Sequence, residues 1–120
     1  MGFAILQIDH VQVAAPAGKE QMARDFYAGI LGMQELEKPE SLKGRGGAWF
    51  KFGEQQLHVG VEEPFSPAKK AHPAFRTAGY EELKDHLSAN GILVKEDDSI
   101  PGIERFFIFD PFGNRLEFLK

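Results

Sequence analysis

The sequence predicts an α+β fold built from two copies of one strand–helix–strand–strand–strand unit. Three observations predict it. In each half an alternating apolar pattern gives way to a helical stripe and then returns to alternation. Local text also repeats: DFYAGILGM at 25–33 parallels DHLSANGI at 85–92, and Phe52-Gly53 parallels Phe112-Gly113. Between the halves lies a stretch, 62–70, that carries Pro64 and Pro67. A single domain over 1–120 is expected, with one module at about 4–61, the other at about 71–120 and 62–70 as the joint.

In the first half, Ala4–Ala14 reads as a strand, with Val11 and Val13 on one face and His10 and Gln12 on the other. Pro16 and Gly18 end it. Lys19–Leu31 reads as a helix, because Met22, Phe26 and Ile30 recur at helical spacing beside Ala23, Tyr27 and Leu31. Gly32 supplies a stop. Met33–Lys38 is a short strand. Lys43–Gly47 is a basic, glycine-rich loop expected to be mobile. Ala48–Phe52 and Gln55–Val61 form a hairpin around Gly53 and Glu54.

The second half repeats the order. Ala71–Thr77 is a strand. Tyr80–Asn90 is a helix with Leu83 and Leu87 inward, ended by Gly91. Ile92–Lys95 is a strand and Asp97–Gly102 a loop. Glu104–Phe109 and Arg115–Leu119 form the last hairpin, whose turn uses Asp110, Pro111, Gly113 and Asn114.

Composition narrows the function. The 120 residues carry a net charge of −4, which argues against a nucleic-acid partner. No cysteine is present, so any metal site must use His, Asp or Glu. No apolar run approaches the ~20 residues of a membrane span. The N-terminal MGFAILQIDH lacks the marks of a secretory signal, so a cytoplasmic location is expected. There is no P-loop pattern and no GxSxG elbow.

The repeat also relates side chains that carry chemistry. His10 and His72 stand 62 residues apart, and His58 and Glu117 stand 59 apart. Each is expected on a strand. Gln56, His58 and Gly60 share one face of theirs, and Arg115 and Glu117 share one face of the last. A lone strand histidine is ordinarily a hydrogen-bonded or solvated residue. Three histidines and one carboxylate at repeat-related places point instead to a metal site. His86, on a helix, reads as structural. Trp49 is a candidate apolar substrate wall and Gln56 a candidate contact beside His58, whereas Phe50 and Phe52 read as core. Arg76 and Arg105 are candidate substrate contacts, with ion pairing inside the fold as the equal alternative. Lys43 and Arg45 fit a solvated charged loop better than an anion lid.

IDHVQV at the start, DFYAGILGM at the first helix and RFFIFDPFGNRLEF at the end together resemble the vicinal oxygen chelate superfamily of glyoxalases, fosfomycin-resistance proteins, extradiol dioxygenases and bleomycin-resistance proteins. The resemblance spans the chain. It implies two βαβββ modules forming an eight-stranded, cup-shaped mixed sheet around a divalent metal. It also implies His10, His58, His72 and Glu117 as the metal ligands, with Fe, Mn, Zn, Ni and Co all compatible with the donors. Such a site carries a single net positive charge and favours an anionic, bidentate oxygen ligand. The resemblance implies a metal-dependent dioxygenase, lyase/isomerase or thiol transferase acting on a small molecule, with His58 and Glu117 catalytic. Glyoxalases of this kind usually present a second carboxylate where this chain has His58. The alternative is a metal-independent sequestering protein of the bleomycin-resistance type. A homodimer is expected, with the modules paired within one chain or exchanged between two.

Overall fold

The computed structural model describes residues 2–120, which divide into two compact units, the first ending at Glu63 and the second running from Pro64 to Lys120. The first unit holds β1 (His10–Ala15), α1 (Glu20–Ala23) continued by a π-helical stretch (Arg24–Ile30), β2 (Gln34–Leu36), a 3-10 helix (Glu40–Arg45), β3 (Ala48–Phe52) and β4 (Gln55–Val61). The second holds β5 (Ala74–Arg76), α2 (Tyr80–Ala89), β6 (Lys95–Asp97), β7 (Arg105–Phe109) and β8 (Arg115–Leu119). Each unit is therefore βαβββ. Each makes a four-stranded mixed sheet, in the order β1-β4-β3-β2 and β5-β8-β7-β6. In both, the first strand pairs parallel to the last and the other pairings are antiparallel.

One face of each sheet is covered by its helix. In the first unit Ala23, Phe26 and Tyr27 bury against the side of the sheet that carries Phe50, Leu57 and Val59. Tyr27 lies 5.5 Å from Phe50, ring to ring. In the second, Tyr80 and Leu87 are buried with Phe106, Ile108, Leu116 and Phe118. The Phe106 ring stacks on Phe118 at 5.3 Å. Alternation explains both cores: every second strand residue turns to the helix, and burial of several aromatic side chains of ~2 kcal/mol each favours that side.

Several expected bounds shift. The first strand begins at His10 rather than Ala4, and residues 2–9 form no regular strand. Met22 is 42% exposed, because the buried stripe runs Ala23, Phe26, Tyr27 and leaves it one residue out of phase. Leu36 ends β2 short of Lys38, and Ala74 begins β5 after His72 and Pro73, so His72 precedes its strand. The sixth strand is Lys95–Asp97, not Ile92–Lys95, and Leu93 is 82% exposed. The segment expected to be a mobile loop, Lys43–Gly47, holds the last turn of the 3-10 helix and the two glycines that follow it. It is anchored by Lys38 Nζ donating to the Gly46 carbonyl and by the Gly47 N–H donating to Glu20 Oε2 at 2.9 Å. That amide holds the Glu20 carboxyl below its ordinary range. Lys43 is occupied by Glu37 at 2.7 Å and Glu40 at 2.9 Å. The hairpin Ala48–Phe52/Gln55–Val61 and the strand Arg115–Leu119 stand where the sequence places them.

The last turn shows how its polar residues are accommodated. Asp110 and Asn114 are both buried. Asp110 Oδ1 accepts from the Phe112 and Asn114 amides, at 2.9 and 2.8 Å, and Oδ2 accepts from Asn114 Nδ2 at 2.9 Å. A buried carboxylate with this many donors is satisfied rather than stranded.

Candidate functional site

The face of each sheet opposite its helix carries the repeat-related residues. In the first unit Gln12 of β1 and Trp49 of β3 are both level with His58 of β4. His10 stands opposite Gln56. Three rings stack here: Trp49 on His58 at 4.0 Å between centroids and 5° between planes, and His10 on His58 at 4.2 Å and 13°. His58 is thereby buried, and its Nε2 lies 2.8 Å from Gln56 Oε1. That carbonyl oxygen only accepts, so Nε2 carries the proton and Nδ1 the lone pair. Burial, and then the neighbouring His10 ring, push the His58 pKa below its ordinary value, with Asp9 opposing. His10 Nδ1 donates to Asp9 Oδ1 at 2.9 Å, which leaves its Nε2 as the lone-pair nitrogen.

The second unit repeats the register. Ala74 and Phe107 are both level with Glu117, as Gln12 and Trp49 are with His58. His72 stands two residues before Ala74, as His10 does before Gln12. Glu117 is buried, and its Oε1 lies 2.8 Å from His72 Nε2. His72 Nδ1 lies 2.7 Å from the Lys70 carbonyl oxygen, which only accepts. In the neutral ring the proton is therefore on Nδ1, and Nε2 points a lone pair at a carboxylate oxygen. A proton on Nε2 makes this contact an ordinary hydrogen bond, and a metal ion would take that proton's place. A histidine fixed by an Nδ1–H to carbonyl bond is also the usual outer support of a metal ligand. The donors, imidazole nitrogen and carboxylate oxygen without sulfur, fit a divalent ion of the Mn-to-Zn series.

Arg105 lies beneath this pair. Its Nη1 donates to Glu117 Oε2 at 3.2 Å and its Nη2 to Asp97 Oδ2 at 3.1 Å. Ion pairing thus occupies Arg105, expected as a substrate contact. Arg76, the other expected contact, is exposed on β5 and donates to the Lys120 carbonyl at 3.0 Å. His86 lies on α2, away from these strand faces. Within each unit, among the described residues, no group of three His, Asp or Glu side chains surrounds one point.

Three residues near the site were not anticipated as members. Gln12 is level with His58, and its side chain lies over Gly60, where a Cβ would stand 2.5 Å from Gln12 Nε2. Asp97, read as a loop residue, pairs with Arg105. Arg115 lies over the Phe107 ring at 4.0 Å. Alternation alone places Gln12 with His10 and Arg115 with Glu117; the cross-strand partners are not local in sequence.

A charged cavity of about 440 Å³ in the first unit is a different feature. Its lining includes Glu20, Arg24, Glu35, Lys38 and Lys43. Glu35 is level with Phe50, on the helix-covered face, and Arg24 is neutralised by Glu35 at 2.8 Å.

Comparison with known proteins agrees with this architecture. The profile of the Glyoxalase/Bleomycin resistance protein/Dioxygenase superfamily matches residues 7–118. A Bacillus anthracis protein assigned to the glyoxalase family superposes with a TM-score of 0.96 at 54% identity, covering 99% of this chain and 98% of that one. Lactoylglutathione lyase from Agrobacterium tumefaciens superposes at 0.74 with 22% identity, over 94% and 92% of the two chains. A glyoxalase/dioxygenase from Nostoc punctiforme superposes at 0.75 with 21% identity, over 99% and 97%. The latter two share the fold alone. No curated protein matches the sequence. Among the described residues, no helix is long and apolar enough to cross a membrane.

Proposed function

The chain belongs to the Glyoxalase/Bleomycin resistance protein/Dioxygenase superfamily, and from that premise we propose that it is a metal-dependent enzyme acting on a small substrate through two neighbouring oxygens. The observation that carries this reading is the 2.8 Å contact of His72 Nε2 with Glu117 Oε1, which brings an imidazole nitrogen and a buried carboxylate oxygen together on one face.

In this reading His10, His58, His72 and Glu117 hold the ion. A divalent ion bound by them supplies Lewis-acid stabilisation to charge on the chelated oxygens. The residues do the rest. Arg105 and Asp97 fix the Glu117 carboxylate, and the Lys70 carbonyl fixes the His72 ring. Gln56 and Trp49 fix the plane and tautomer of His58. The lone pair on His58 Nδ1, left free by the Nε2–Gln56 bond, is able to accept a proton or to ligate. Trp49 offers an apolar wall and excludes water from His58. The reaction classes that fit are isomerisation or lysis, ring-opening dioxygenation, and thiol transfer.

The same reading has the protein as a cytoplasmic homodimer. Phe3, Ile5, Leu6 and Ile8 are 61–92% exposed in residues 2–9, an apolar segment that suits burial by a second copy. Sedimentation velocity of wild type and of a variant with serine at these four positions tests this; a monomer at every concentration removes the dimer from the proposal.

Metal analysis after dialysis against Mn, Fe, Co, Ni and Zn tests the central claim, with His10→Ala and Glu117→Ala as comparisons. Wild type should retain one ion per set of four ligands, and both variants should lose it. An activity screen over methylglyoxal–thiol adducts, catechols and fosfomycin then distinguishes the three reaction classes. Absence of stoichiometric metal in wild type would overturn the enzyme reading, and tight metal-independent binding of a cationic glycopeptide would replace it with sequestration.

A further inference from the structure

Two guanidinium groups share one aromatic ring in the second unit, and only one of them is neutralised. Arg105 lies 5.1 Å from the Phe107 centroid and Arg115 lies 4.0 Å from it. Arg105 is met by both Asp97 and Glu117. Arg115 has no carboxylate partner among the described residues, and it is half-buried. His72 meets the edge of the same ring at 5.5 Å and 77°. Phe107 is itself buried and stands level with Glu117. Arg115, Phe107, His72 and Glu117 thus form one continuous patch: a cation held flat on an aromatic floor, beside a histidine–carboxylate pair.

This placement has a chemical consequence. A guanidinium on an aromatic face is oriented, and its N–H groups remain available for a planar, bidentate acceptor. The Arg105 Nε, by contrast, is buried without a partner, so this patch already carries more donors than acceptors. Arg115 and Glu117 are two positions apart on one strand face, roughly 7 Å along β8. A group bound by Arg115 is therefore separate from the oxygens that would be chelated near Glu117.

We propose that Arg115 is the anchoring residue for a carboxylate carried by the substrate, distinct from its two chelating oxygens, with Phe107 as the floor beneath it. This inference rests on the metal-chelate reading and narrows it to substrates that carry an additional anionic group. Catechol and 3,4-dihydroxybenzoate serve as probes, since they present the same vicinal oxygens without and with a carboxylate on the far side of a ring.

Calorimetry on the Mn-loaded protein reads the effect. Wild type should bind 3,4-dihydroxybenzoate at least about tenfold more tightly than catechol, the scale of one charge-assisted hydrogen-bonded pair. Arg115→Gln should reduce that preference to about twofold or less while leaving catechol affinity unchanged, and Arg115→Lys should restore part of it. No preference in wild type, or a preference that survives in Arg115→Gln, overturns the anchoring role and leaves the metal reading intact. Failure of wild type to bind Mn overturns the metal reading instead. In that event the metal-free protein decides the matter: titration with 3,4-dihydroxybenzoate should shift the Arg115 Nε resonance to saturation, and an unmoved resonance overturns the proposal.

Discussion

The Trp49 indole lies flat on the His58 imidazole, 4.0 Å away and within 5° of parallel. Trp49 is the only tryptophan in the chain, so its emission reports directly on His58. Addition of Zn or Mn should change the fluorescence of wild type and of His86→Ala with one saturating transition. His58→Ala should abolish the response. A response unchanged in His58→Ala would show that the ion binds elsewhere. Trp49→Leu should also cost about 1 kcal/mol of stability beyond the lost buried area, measured by urea unfolding.

Glu117 and Arg105 are both substantially buried, so removing one charge strands the other. Glu117→Gln and Arg105→Gln should each destabilise by about 2–4 kcal/mol. The double variant should lose less than the two effects combined, with a coupling energy of about 1–3 kcal/mol. Additive losses in urea titrations would mean that the pair contributes nothing as a pair.

Gly47 and Gly32 separate steric demand from backbone demand. Both have positive φ, 83° and 75°. A Cβ on Gly47 would stand 2.1 Å from the Val59 carbonyl oxygen, whereas nothing lies within 4 Å of one on Gly32. Gly32→Ala should cost about 1 kcal/mol, the strain of a left-handed alanine alone. Gly47→Ala should cost more than about 3 kcal/mol, because β4 backbone must move. Equal shifts in thermal midpoint would contradict this geometry.

Acid should release the anchored 3-10 segment. The Glu20 carboxyl is held below its ordinary value, chiefly by the Gly47 N–H. A folded pKa lower than the unfolded one means that the ionised form stabilises the fold. That contribution is complete above the unfolded pKa and is lost as pH falls through the folded one. The stability gap between wild type and Glu20→Gln should therefore be constant above about pH 6 and close below about pH 4. A gap that persists at low pH would assign the effect to packing instead of charge.

Gly60→Ala should displace Gln12 without unfolding the protein. The new Cβ would meet the Gln12 amide, the far end of a flexible and exposed side chain, at 2.5 Å. The loss should be less than about 1.5 kcal/mol. If Gln12 contacts ligand, 3,4-dihydroxybenzoate affinity should fall in both Gly60→Ala and Gln12→Ala; an effect in neither variant places Gln12 outside the site.

The sequence by itself determined the βαβββ order, the hairpin Ala48–Phe52/Gln55–Val61 and the last strand. Each is a local periodicity bounded by turn residues, and local periodicity is what a linear pattern records. It also determined which residues share a strand face, since alternation puts His58 with Gln56 and Glu117 with Arg115 without any knowledge of neighbours. Only the tertiary structure decided the partners of those faces. Cross-strand register placed Trp49 and Gln12 level with His58, and joined Arg105 to Asp97 and Glu117, pairs whose members lie from 8 to 46 residues apart. It also decided that β1 begins only at His10, that Met22 turns to solvent, and that the Lys43–Gly47 segment is pinned rather than loose. In each case the deciding contact, a strand partner, a helix phase or the Glu20 carboxylate, is distant along the chain. The pattern of residues fixes faces; the closing of distant segments upon one another fixes what each face meets.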